Sequence, residues 1–115
     1  MDTPSTFLRT LSTESISESE LATFVTLLAA VPEALERHDA FQHLLRVAAL
    51  SPDQVVVLAK SSPVREDVGL QLLLKRYIRS QQFAASHAAE QARLSSKWAV
   101  AADIVMGFFM SLPPM

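Results

Sequence analysis

The sequence predicts an all-α fold: a small compact bundle of four to six helices, with a long C-terminal helical region and a candidate duplicated helix hairpin. Three observations carry this. Half of the 115 residues are apolar, enough for one core at this length and too few for two. Glycine occurs only at Gly69 and Gly107, which disfavours architectures punctuated by glycine turns. Two stretches, ISESEL at 16–21 and LSPDQV at 50–55, carry the chemistry of a helix start. A single helical domain is expected over 16–112, behind a flexible leader at 1–15 and before a tail at 113–115.

The leader reads as a mobile segment from which Phe7 and Leu8 dock on the surface. It has an acid at position 2, a single base at Arg9 and no apolar run of signal length, so the expected location is the cytoplasm. The first helix then starts at Ser17, whose hydroxyl can accept from the N–H of Glu20 while the Glu20 carboxylate reaches back. Ile16 and Leu21 occupy the two positions of a hydrophobic staple. Leu21, Phe24, Val25 and Leu28 follow at helical spacing until Pro32 stops the run.

Pro32 is expected to open the second helix, with Glu33 and Glu36 near its positive end and Phe41, Leu44, Leu45 and Ala48 on its inner face. The third helix repeats the cap and staple with Leu50, Ser51, Gln54 and Val55, and has Pro52 at its first position. Its VVVL run at 55–58 is β-prone, so a strand competes with the helix there. A fourth helix is expected from Ser62-Pro63, with Leu70, Leu73, Leu74, Tyr77 and Ile78 on one face. It either continues to residue 111 or breaks near Ser95-Ser96. From Trp98 to Leu112 the chain is apolar on nearly every side, with Asp103 the only charge, and at fifteen residues it falls short of the roughly 20 needed to span a bilayer.

ISESELATF and LSPDQVVVL align at an offset of 34 residues, whereas FQHLLR at 41–46 and LQLLLK at 70–75 align at 29. A duplicated hairpin therefore requires a five-residue deletion in the second unit. LSPDQVVVLAKSS also resembles the opening of the repeats of transcription-activator-like DNA-binding proteins. By position the resemblance puts Ser61 and Ser62 in a base-reading turn. It covers residues 50–62, and Pro63-Val64 stand where that family has a glycine pair, so its DNA-reading role is not carried over.

Catalytic chemistry finds little support. With no cysteine, thiolate nucleophiles, disulfides and thiolate metal sites are excluded. His38, His43 and His87 are scattered, and the first two are five residues apart, which turns them away from a shared helix face. The prominent serines sit at helix starts, and two glycines cannot build a phosphate loop. No catalytic, cofactor or metal site is expected.

Charge is more informative. Residues 1–59 hold eight acids and three bases, a balance of −5, and residues 60–115 hold four acids and seven bases, a balance of +3. The bases Lys75, Arg76 and Arg79 cluster in LLLKRYIRSQQF. Downstream, Trp98, Val105, Phe108 and Phe109 form a large apolar surface of the kind that suits adaptable contacts.

The leading expectation is a non-catalytic protein–protein interaction module, an adaptor, chaperone or assembly subunit. Its contact would run through Arg76, Tyr77, Arg79, Trp98, Val105, Phe108 and Phe109, with a protein partner or a second copy as occupant. A nucleic-acid-binding regulator using 51–80 as a helix-turn-helix is the first alternative. A protein that associates with membranes through 98–112 is the second.

Overall fold

The computed structural model describes residues 3–10, 15–86 and 92–110, and among these there are seven helices and no strand. They are α1 (Pro4–Thr10), α2 (Glu18–Ala29), α3 (Ala34–Val47), α4 (Pro52–Lys60), the one-turn α5 (Ser62–Arg65), α6 (Val68–Ser86) and α7 (Ala92–Met110). The all-α bundle is the observed fold. The tail at 113–115 and His87 lie outside the described residues.

Both capping boxes form. Ser17 Oγ accepts from the Glu20 N–H and Glu20 Oε1 from the Ser17 N–H, at 3.1 and 2.9 Å; Ser51 and Gln54 repeat the exchange at 3.2 and 2.9 Å. Gln54 also donates through Nε2 to the Ile16 carbonyl, which ties the starts of α2 and α4 together. The staple residues Ile16, Leu21, Leu50 and Val55 are all buried. Cap chemistry thus prevails over the β-propensity of the valine run, because a capped helix buries Val55, Leu58 and Ala59 on one side.

Four expectations are corrected. The leader is not mobile throughout: residues 4–10 form α1, Thr3 Oγ1 accepts from the Thr6 N–H, and Leu8 is buried in the main core. Pro32 precedes the α3 cap, which is Glu33, because the Arg37 guanidinium folds back onto the carbonyls of Val31 and Pro32 at 2.8 and 3.0 Å. Ser62-Pro63 opens only one turn before the chain restarts at Val68. The C-terminal region holds two described helices, α6 and α7, but α7 runs unbroken through Ser95-Ser96; residues 87–91 between them lie outside the described residues.

The restart at Val68 has a local cause. Asp67 accepts from the Gly69 N–H through Oδ1 at 2.9 Å, as a helix cap does, and its carbonyl receives the Gln71 N–H. The same carboxylate receives His38 Nε2 from α3 at 3.0 and 3.1 Å and lies 3.6 Å from the Arg37 guanidinium. Since the carboxylate can only accept, Nε2 carries the proton. Behind it, buried Gln71 donates to the carbonyls of Val64 and Arg65 at the end of α5.

This junction also shows why residue 69 is glycine. A Cβ there would lie 2.5 Å from His38 Nε2 and 3.2 Å from Asp67 Oδ1, so only the bare backbone admits the imidazole.

The helices form two hairpins, α2–α3 and α4–α6, and the second begins 34 residues after the first in both of its arms (Glu18 to Pro52, Ala34 to Val68). The five-residue deletion is therefore unnecessary, and the Leu-Leu match at an offset of 29 does not mark equivalent positions. Each hairpin is covered by one more helix: α1 lies on α2 and α3, and α7 lies across α4 and α6. Contacts of α3 with α6 and of α2 with α5 join the halves around a core in which Phe24, Phe41, Leu44, Leu58, Leu74 and Val105 expose no surface.

Two outcomes follow from the junction. Gly69→Ala should displace the His38 ring and cost about 1–3 kcal/mol, as overpacking does. In a His38→Ala background the same change should be neutral or stabilising by up to about 1 kcal/mol, through helix propensity. A double-mutant cycle by urea denaturation measures the coupling, and equal costs in both backgrounds would refute the close approach. Asp67 is the second case. Burial raises its pKa, but the hydrogen bond and charge of His38 and the N–H groups of Leu70 and Gly69 together hold it below the ordinary value of 3.8. A depressed carboxylate stabilises the fold above its unfolded-state pKa and loses that contribution as pH falls through the folded-state value. Asp67→Ala should therefore cost about 1–2 kcal/mol near neutral pH, the scale of a lost cap. Its Tm deficit against wild type should shrink below about pH 4.

Candidate functional site

α6 positions the basic cluster. Its inner face is set by Leu70, Leu74 and Ile78, all buried, and by Gln71. Positions 68, 72, 75, 76 and 79 fall within about 100° of one another on the opposite side. Val68 is 64% exposed and Leu72 54% exposed, one turn apart, and Arg76 and Arg79 continue the exposed stripe. Lys75 stands at the edge, its ammonium 5.7 Å from the centre of the Phe109 ring. No acid occurs between Asp67 and Glu90, so this outer face carries three cations and no anion of its own helix. Among the described residues neither Arg76 nor Arg79 has an ion-pair partner.

The other expected contact residues have different positions. Trp98, Val105 and Phe109 are buried in the core, where α7 packs on α6 and α4, so they are not available to a partner in this packing. Phe108 is half-buried beneath the Arg65 guanidinium, 5.4 Å from its ring centre. Tyr77 is half-buried too. Its hydroxyl accepts from the Leu50 N–H at 3.1 Å, and its ring meets Trp98 edge-on at 6.1 Å. It therefore fastens the turn before α4 to α6 and braces α7.

Reading the sequence alone missed Val100 and Ile104 of α7, which are 58% and 44% exposed. They border a cavity of about 490 Å³ between α4 and α7. Pro52, Val56 and Ala101 complete its apolar walls, and Asp53 and Lys97 stand in its lining. The signal was present as an i, i+4 pair set apart from the Trp98, Ala101 and Val105 stripe. In a segment apolar on every side, that periodicity has too little contrast to separate an inner from an outer face.

Among the described residues no group of three or more His, Asp or Glu side chains could hold a metal ion. His38 is engaged through Nε2 with Asp67, and no hydroxyl among the described residues hydrogen-bonds to it. No described helix is long and apolar enough to cross a membrane. No protein-family model, curated protein or solved structure matches this chain.

Burial pushes the Tyr77 hydroxyl above the ordinary value of 10.0, against the opposing hydrogen bond from Leu50. Tyr77 is the one tyrosine of the chain, so phenolate absorbance reads it alone. A raised folded-state pKa leaves stability intact below the unfolded-state value and removes it as pH rises through the folded one. The absorbance midpoint should thus lie above 10, with unfolding accompanying the titration. Tyr77→Phe should cost about 1–3 kcal/mol, because the Leu50 N–H loses its acceptor. A midpoint at the free-tyrosine value in the folded protein would contradict the burial.

Proposed function

We propose that this chain is a non-catalytic protein–protein interaction module whose α6 outer face receives an acidic amphipathic helix. The observation that carries the reading is the stripe of Val68 and Leu72 continued by Arg76 and Arg79, with Lys75 at its edge. Two exposed apolar side chains one turn apart offer anchors for a facing helix, the usual i, i+4 recognition pattern. Guanidinium forks a turn beyond them select carboxylates geometrically and steer the encounter electrostatically.

The same stripe argues against the nucleic-acid alternative. In a helix-turn-helix built from 51–80, α6 would be the recognition helix, and such helices read bases from their first turns. Here the exposed side chains of those turns are Val68 and Leu72. The membrane alternative loses support because Trp98, Val105 and Phe109 of the 98–112 segment are already inside the protein.

An unbiased displayed peptide library, counter-selected against the Arg76→Glu/Arg79→Glu chain, tests the reading. Enriched peptides should carry acids and apolar residues at helical spacing and lose at least about tenfold in affinity for the charge-reversed chain, a difference of about 1.4 kcal/mol. Both substitutions fall on exposed side chains that have no ion pair among the described residues, so the fold should be unaffected. Peptides lacking acidic bias, or bound equally by both chains, would sink the reading. Tight, steeply salt-dependent binding of duplex DNA would put the regulator in its place.

A further inference from the structure

The α4–α7 groove is a separate surface from the α6 stripe. Val100 and Ile104 stand one turn apart at its lip, more than two-fifths exposed each. One turn further along the same side of α7 lies Gly107, where an added Cβ would meet nothing within 4 Å. Gly107 thus leaves the lip open to a close backbone approach, with the exposed side chains of Asp103 and Lys97 flanking it on α7. The groove also carries one acid, Asp53 on α4, and one base, Lys97 on α7, and among the described residues neither is in an ion pair.

A surface holding one unpaired charge of each sign beside an apolar lip is complementary to itself. About a twofold axis every contact from residue i to residue j is matched by one from j to i. We propose that two copies of this chain pair across this groove, with Val100 and Ile104 of each α7 seated against the other's groove and Asp53 of each copy facing Lys97 of the other. A stable interface takes roughly 800 Å² from each partner. The nineteen residues of α7 run about 28 Å, long enough to supply most of the seam. The occupant is a second copy rather than an unrelated helix because the charges and the apolar lip satisfy each other without any further partner.

A charge-exchange experiment on the full chain tests this, read by sedimentation equilibrium with circular dichroism as the folding control. The wild type should be a dimer. Asp53→Lys and Lys97→Asp should each weaken dimerisation at least about tenfold, since each places like charges across the axis twice. An equimolar mixture of the two should recover it, because both cross-axis pairs are then opposite in sign, and so should the double variant. Ile104→Glu should give a folded monomer without rescue. A wild type that stays monomeric up to high concentration overturns the proposal. So does a dimer indifferent to the single reversals, or a pair of monomeric variants whose mixture stays monomeric. Should Asp53→Lys fail to fold at the start of α4, Lys97→Asp with Ile104→Glu still decides the matter: a dimer unmoved by both refutes the groove as the seam. None of these substitutions touches α6, so failure here leaves the acidic-partner reading standing.

Discussion

The carboxylate of Asp67 caps α6, receives the imidazole of His38 from α3 and stands beside the Arg37 guanidinium. Three requirements meet at that side chain. The chain must stop after α5, α6 must begin in a new direction, and α3 must lie against that beginning. Each would be a weak condition alone, worth about a kilocalorie. Joined on one residue they exclude one another's alternatives: a continuous helix from Ser62 would remove the cap, and any Cβ at residue 69 would push the imidazole off the carboxylate. The arrangement is local in sequence on one side, from 67 to 69, and 29 residues distant on the other, so it couples the two hairpins where they meet.

From this junction the rest of the bundle follows by covering apolar faces. Each hairpin leaves a trough between its two helices, and each trough needs a lid. α1 is seven residues long and closes the first with Leu8, helped by Phe7. α7 is nineteen residues long and closes the second with Trp98, Ala101, Val105 and Phe109. A helix can turn only about half of its circumference inward, and from Trp98 onward α7 is apolar on nearly every side, with Asp103 its only charge. Val100 and Ile104 are therefore left outside once its inner stripe is satisfied. The groove beside α4 is the consequence of a lid with more apolar surface than its trough can take.

The basic stripe was legible as a cluster, because KRYIR is conspicuous in any reading of charge. Its apolar half was not: Val68 and Leu72 lie off the face of Leu70, Leu73, Leu74, Tyr77 and Ile78, and nothing in a leucine-rich run singles them out as an exposed pair. The aromatic residues of α7 erred in the opposite direction. Trp98 and Phe109 were read as a contact surface on the strength of size and composition, yet size is also what a core lid requires, and α4 and α6 were there to receive them. Tyr77, beside the arginines in sequence, turns its hydroxyl inward to the Leu50 amide, a partner 27 residues away that no local pattern announces.

By itself the sequence determined what depends on neighbours within a turn or two. The two capping boxes, their staples, the all-helical content and the absence of thiol chemistry are of this kind, because a hydroxyl and the N–H three residues on are brought together by helix geometry wherever the helix sits. Only the tertiary structure decided which side of α7 is inner, where the chain restarts after α5, and that the arms of the two hairpins keep a common spacing of 34 residues. Those outcomes are set by competition for a limited core volume, in which each helix takes the phase that its neighbours leave open. The contacts that settle the competition, His38 to Asp67 and Tyr77 to Leu50, join residues far apart in the chain and have no signature in either segment read alone.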